Sequence, residues 1–197
     1  MKIKTIYIIH QYECKSRMKY ILDIQRKYPL SNIVIVEPDE LSDDTSSLIC
    51  RWNKNYPQRK REISLYTTNI RILRHVVQMK QNNVLILEDD AIQIEDIGDL
   101  DPNKWIHYLN TRWYLGNSVK RCTSCQANLY INWYNTERLL NNLLLYCNVK
   151  KNRFRPIDYE LDYMKTKYNL EEHYEYHNLF HHDDENPSTI RNLTESL

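Results

Sequence analysis

Three carboxylates stand in a row at Glu88, Asp89 and Asp90, directly after the apolar run Val84-Leu85-Ile86-Leu87. Adjacent acids at the edge of an apolar core repel one another unless a cation or hydrogen-bond donors compensate them. A hard divalent ion such as Mg²⁺ or Mn²⁺, carrying a phosphate-bearing substrate, is one natural compensator. An acidic loop that caps the next helix is the other reading of the same residues. If the strand continues to Glu88, then Glu88 and Asp90 point one way and Asp89 the other.

Three further groups could do chemistry. In Pro156-Ile157-Asp158-Tyr159-Glu160-Leu161-Asp162, a helix would put Asp158 and Asp162 one turn apart on a shared face. The amide ends of that helix stabilise an ionised carboxylate at Asp158. Such a carboxylate can accept a proton from an incoming hydroxyl, or simply stabilise the helix start. His177, His181 and His182 stand near Asp183 and Asp184, where a His pair can ligate a divalent metal or form a polar surface tail. Cys122-Thr123-Ser124-Cys125 has the spacing of half a zinc site, but no second pair follows at zinc-finger spacing.

The elements that must position these groups are legible in the apolar pattern. Val84 to Leu87 reads as a strand buried on both faces, the kind found within a parallel α/β sheet. Open α/β sheets bind ligands beyond the carboxyl ends of such strands, where the three acids lie. Ile3 to Ile9 is a first buried strand and Asn32 to Val36 a second. Between them Cys14 to Tyr28 is expected as a helix with Met18, Ile21, Leu22 and Tyr28 on one face, stopped by Pro29. Residues 38–62 carry acids and then bases and are expected as a mobile loop or lid, or as a solvated excursion with no role. Ser64 to Lys80 is expected as a helix capped by Ser64, with Tyr66, Ile70, Leu73 and Val77 facing the core. Trp105 to Leu109 and Ala127 to Trp133 are further strands. A helix capped by Asn135 or Thr136 runs to Cys147. Another opens at Pro156 with Ile157, Leu161, Met164 and Tyr168 on its apolar face.

Composition narrows the function classes. A chain of 197 residues with 42% hydrophobic residues can bury one α/β core, so residues 1–197 read as a single domain. A net charge of +1 speaks against a dedicated nucleic-acid or membrane-surface protein. With only 2 Gly, no glycine-rich phosphate loop can form, so metal, side chains or helix ends must hold any phosphate. The odd count of 5 Cys fits a reducing compartment. The run Ile3 to Ile9 is too short to span a membrane, and a soluble, cytoplasmic protein is expected.

Taken in order, these segments resemble the family 25 glycosyltransferases, the lipopolysaccharide and collagen galactosyltransferase group. That family opens on a strand like Tyr-Val-Ile-Asn-Leu before an Arg-bearing helix; here Ile6 to His10 precedes Lys15 and Arg17. Its Gly-Glu-Ile-Gly-Cys-x-x-Ser-His segment is matched in spacing by Arg61 to Asn69. Arg61 and Ser64 replace the two Gly, and Thr68-Asn69 replaces Ser-His. Its Leu-Ile-Leu-Glu-Asp-Asp-Ala strand is Leu85 to Ala91. Its Trp-led strand is similar to Trp105 to Leu109, its Pro-x-Asp-x-x-Leu-Asp segment to Pro156 to Asp162, and its late Ser-x-Ile to Ser188-Thr189-Ile190.

The resemblance implies a GT-A-like α/β fold, a mostly parallel sheet flanked by helices. It implies a nucleotide-sugar donor carrying UDP and inverting transfer to a hydroxyl of a glycan or glycoconjugate. Mn²⁺ or Mg²⁺ would sit on Glu88 and Asp90, with His182 or its neighbour His181 completing the site or touching the diphosphate. Asp158 would be the base, with Asp162 second. His10, Gln11, Arg17, Glu37, Asn69 and Asp89 would hold the donor. Two alternatives remain open: a nucleotide-binding relic without turnover, suggested by the replaced Gly and Ser-His, and a Mg²⁺-dependent nuclease or phosphohydrolase using the same acids.

Overall fold

In the computed structural model, residues 2–40, 56–110, 113–116, 119–122, 127–149 and 157–182 are described. Most of the expected 38–62 loop lies outside them. So do Cys125, Pro156, Asp183, Asp184 and the Ser188 to Ile190 segment.

The strands are β1 (Thr5–Ile9), β2 (Asn32–Val36), β3 (Val84–Glu88), β4 (Ala91–Gln93), β5 (Ile106–Tyr108), β6 (Trp113–Gly116), β7 (Val119–Cys122), β8 (Ala127–Tyr130), β9 (Tyr174–Tyr176) and β10 (Phe180–His182). The helices are α1 (Met18–Lys27), α2 (Tyr56–Gln78), α3 (Trp133–Val149) and α4 (Ile157–Lys167). Six strands form one sheet in the order β2-β1-β3-β8-β5-β9. Only β8 runs against the others, so the sheet is mostly parallel, as expected. The register sets Ile9 opposite both Val36 and Glu88, which brings the carboxyl ends of β1, β2 and β3 level.

Both faces of this sheet are covered, which is why the central strands lack polar alternation. Ile6, Ile8, Leu85, Leu87 and Leu129 pack with Ile21 and Ile24 of α1 on one side. Tyr7, Ile9, Val84, Ile86 and Tyr108 pack with residues of α2, α3 and α4 on the other. The inward residue of α1 is Ile24 rather than the expected Leu22, which is exposed. From Ile21 the buried stripe steps three residues, not one. Tyr168 is likewise exposed, because α4 ends at Lys167.

Two helix starts differ from expectation. α2 begins at Tyr56, so Ser64 is interior, and its Oγ donates to the Asp39 backbone oxygen at 2.6 Å instead of capping. The apolar period marks where the helix meets the core, not where it begins. α3 begins at Trp133, and its cap is Asn132. The Asn132 side-chain oxygen accepts from Asn135 N at 2.8 Å, while Thr136 donates back to the Asn132 carbonyl. Asn132→Ala is therefore expected to cost about 1 kcal/mol, read as a lower urea midpoint at unchanged slope.

With so few glycines, other residues occupy left-handed backbone positions. Lys80 has φ 49°, and the amides of Lys80 and Gln81 bond back to Val77 and Val76, closing α2 in a Schellman turn. Beyond β9 the chain turns back, and β10 pairs with β4 so that His182 lies opposite Ala91. This pairing returns the late histidines to the neighbourhood of the three acids.

Candidate active site

β3 ends at Glu88, Asp89 and Asp90 make a tight turn, and β4 starts at Ala91. Strand alternation stops with the strand, so the expected opposition of Asp89 and Asp90 is not seen. Instead one guanidinium nitrogen of Arg17 serves both. Arg17 Nη1 donates to Asp89 Oδ1 and lies 3.4 Å from Asp90 Oδ2. On the other side, His10 Nδ1 lies 2.8 Å from Asp89 Oδ2. His10 is 1% exposed, Arg17 4%, Asp89 7% and Asp90 1%, so water screens these contacts very little. Burial alone would pull the Arg17 guanidinium down, but Asp89 and then Asp90 hold it above its ordinary value.

The repulsion among the adjacent acids is thus answered partly from within the protein. Arg17 Nη1 faces two of the three carboxylates at the turn, Asp89 and Asp90. Two oxygen donors, Glu88 half-buried and Asp90 buried, fit a hard divalent ion in type and in charge.

Asp89 accepts a hydrogen bond, so the proton it fixes on His10 is at Nδ1. His10 Nε2 is then an acceptor in the neutral ring. It is buried and has no hydrogen-bond partner among the described residues. Gln11 follows at the end of β1 and is half-buried.

The end of β2 is pinned by α2. Arg71 donates to the Glu37 backbone oxygen at 2.8 Å and to Asp39 Oδ1 at 2.7 Å. Thr68 Oγ1 accepts from the Asp39 amide at 2.8 Å. Asn69, next along, is buried and donates to the Leu65 carbonyl of its own helix. An open groove of about 590 Å³ runs along α2 past Asp39, Arg71, Arg74 and His75, but none of the three acids lines it.

Asp158 is in the first turn of α4. Asp162, on the same helix, is tied to Lys165 at 2.8 Å, and Lys165 also donates to the Tyr176 hydroxyl at 2.6 Å. Burial pulls the Lys165 ammonium down, but its bonds to Asp162 and Tyr176 leave it above its ordinary value. The backbone of His182 lies beside the acid turn. His177 is placed elsewhere, against His107 of β5 and Glu175 of β9. Those two residues escaped the sequence reading. The spacing Glu175-x-His177 was the one local sign, and His107 is 70 residues from His177.

Among solved structures, the chain is similar to the apo form of the glycosyltransferase GlyE of Streptococcus pneumoniae TIGR4. The TM-score is 0.53 at 12% identity over 89% of this chain. It is also similar to a glycosyltransferase involved in the glycosylation of the major capsid of PBCV-1. There the TM-score is 0.55 at 12% identity, covering 90% of this chain and 82% of that one. This is a glycosyltransferase fold. The chain spans under half of GlyE, 45% of its length. No family model matches the sequence, and no curated protein matches it. Among the described residues, no helix of this glycosyltransferase fold is long and apolar enough to cross a membrane.

Proposed function

We propose that this protein is a glycosyltransferase of the GT-A type, moving a sugar from a UDP-linked donor to a hydroxyl of a glycan or glycoconjugate with inversion. The observation that carries the reading is the buried His10–Asp89–Arg17 cluster at the level carboxyl ends of β1, β2 and β3, with His10 Nε2 left to accept. A glycosyltransferase fold supplies the context.

In this reading the ends of β1 and β2, at His10, Gln11 and Glu37, and Asn69 of α2 hold the donor. Asp89 and Arg17 act as positioning residues: Asp89 fixes the His10 tautomer and Arg17 fixes Asp89. Glu88 and Asp90 hold Mn²⁺ or Mg²⁺, with His182 of β10 as a third ligand. When bound, the ion supplies positive charge where the departing diphosphate gains negative charge. Asp158 accepts the proton of the acceptor hydroxyl as its oxygen bonds to the anomeric carbon. The bond from that carbon to the diphosphate oxygen breaks on the opposite face, and its electron pair leaves with the nucleoside diphosphate.

The test is a melting series with UDP and a panel of UDP-sugars, with and without Mn²⁺. Ligand at a hundred times its Kd stabilises by about 2.7 kcal/mol, a rise of about 5–10 °C for a domain of this size. Asp90→Ala should keep the fold and lose the Mn²⁺-dependent part of that rise. A flat response to every nucleotide, with and without metal, overturns the reading.

A further inference from the structure

His107 occupies the middle of β5 and is fully buried. Its Nε2 lies 3.0 Å from the backbone oxygen of Asp101. A carbonyl oxygen can only accept, so Nε2 carries the hydrogen and Nδ1 of the neutral ring presents its lone pair. The Nδ1 lone pair faces Glu175 Oε2 at 3.0 Å and His177 Nε2 at 3.1 Å. The last two atoms are 3.6 Å apart. A carboxylate oxygen against an imidazole lone pair is repulsive unless something positive lies between them.

The spacing fits a metal ion. Four ligands at zinc bond lengths of about 2.0–2.1 Å form a tetrahedron with edges of about 3.3 Å. The three separations straddle that edge. The parallel register sets His107 directly beside Glu175 across β5 and β9. His177 follows two residues on, anchored by its amide to the Tyr108 carbonyl at 2.7 Å. Two neighbouring strands and the residue that follows the second therefore bring three possible ligand atoms within 3.6 Å of one another.

We propose that His107 Nδ1, Glu175 Oε2 and His177 Nε2 form a second metal centre, selective for a transition ion of the zinc class. Two imidazoles and one carboxylate suit such an ion, whereas Mg²⁺ and Mn²⁺ favour all-oxygen sites like the acid turn. The Asp101 carbonyl is the outer partner that fixes the tautomer of a ligating histidine. Glu175 and His177 are partly exposed, so water supplies the fourth ligand.

The centre is structural. β9 is the outermost strand of the six-stranded sheet. The chain leaving it runs through Leu179, whose amide bonds to the Leu109 carbonyl, into β10 beside Ala91. An ion here clamps β9 to β5 and to the Asp101 segment, and so holds the strand that approaches the acid turn. The proposal does not depend on sugar transfer.

The test uses the full chain stripped with chelator and titrated with Co²⁺ as a spectroscopic probe, then with Zn²⁺. The expected result is one equivalent of Co²⁺ with the visible absorption of a four-coordinate ion, displaced by Zn²⁺. Glu175→Gln and, independently, His177→Gln should weaken Zn²⁺ binding tenfold to a hundredfold or more, with unchanged far-ultraviolet circular dichroism. Asp90→Ala should leave it unchanged. Failure to bind either ion overturns the proposal, and leaves a shared proton between His107 and Glu175. Binding that survives both substitutions, or that is lost in Asp90→Ala instead, overturns it equally. If one variant unfolds, the other decides.

Discussion

If Asp158 is the base of the proposed transfer, Asp158→Asn is expected to lower its rate by about a hundredfold to ten-thousandfold and to leave donor binding intact. The amide is nearly the same size as the carboxylate but cannot take the acceptor's proton. Asp158 lies in the first turn of α4. Asp162 provides the contrast. Its Oδ1 is already held by Lys165 at 2.8 Å, and Lys165 is held in turn by Tyr176. Asp162→Asn should therefore change kcat far less, and disturb chiefly the contact between α4 and β9. Initial-rate kinetics with the donor identified by melting would read kcat and KM separately. Full activity in Asp158→Asn would remove Asp158 as the base; a large loss confined to Asp162→Asn would move the role there.

Arg17→Met destabilises the fold by about 3–5 kcal/mol, a drop of about 6–20 °C in Tm. The side chain keeps most of its volume, so the loss isolates the charge. Asp89 and Asp90 are both nearly buried and share the one guanidinium nitrogen. Removing it takes the guanidinium away from two adjacent carboxylates beside the half-buried Glu88. Arg17→Lys should recover only part of the loss, because an ammonium is a single point charge on a different reach. Arg17→Met with Asp89→Asn should be less destabilised than the two single losses added together, since the pair couples. Urea unfolding of the four proteins gives the cycle. A loss under 1 kcal/mol in Arg17→Met would mean that the acids are compensated from elsewhere.

The strands were legible because unbroken apolar runs mark them, buried from Val84 to Leu87 and half-buried in the edge strand Asn32–Val36. Asn32–Val36 and Val84–Glu88 lie where uninterrupted β-branched and aliphatic residues place them, and the acids follow the second of these directly. Helix starts were harder, because nothing requires the first turns of a helix to touch the core. α2 runs through two turns before Ser64, and the Asn132 cap sits before a Trp that reads equally well as strand. The β6–β7 hairpin is a separate two-stranded sheet without an alternating signal strong enough to announce it. Within the site, the acid run and the His-rich end were visible as residue types. Their partners were not: Arg17 read as a donor ligand, and nothing local tied it to Asp89.

By itself, then, the sequence determined that a buried parallel strand ends in three carboxylates, that two carboxylates share a later helix, and that the glycine count forbids a phosphate loop. Only the tertiary structure decided what those carboxylates face. The parallel register of β1 on β3 sets His10 and Arg17 against Asp89. The register of β5 on β9 sets His107 against Glu175. Pairings of this kind join residues about 70 positions apart, and side-chain contacts at that separation follow from how strands align, which local patterning does not encode.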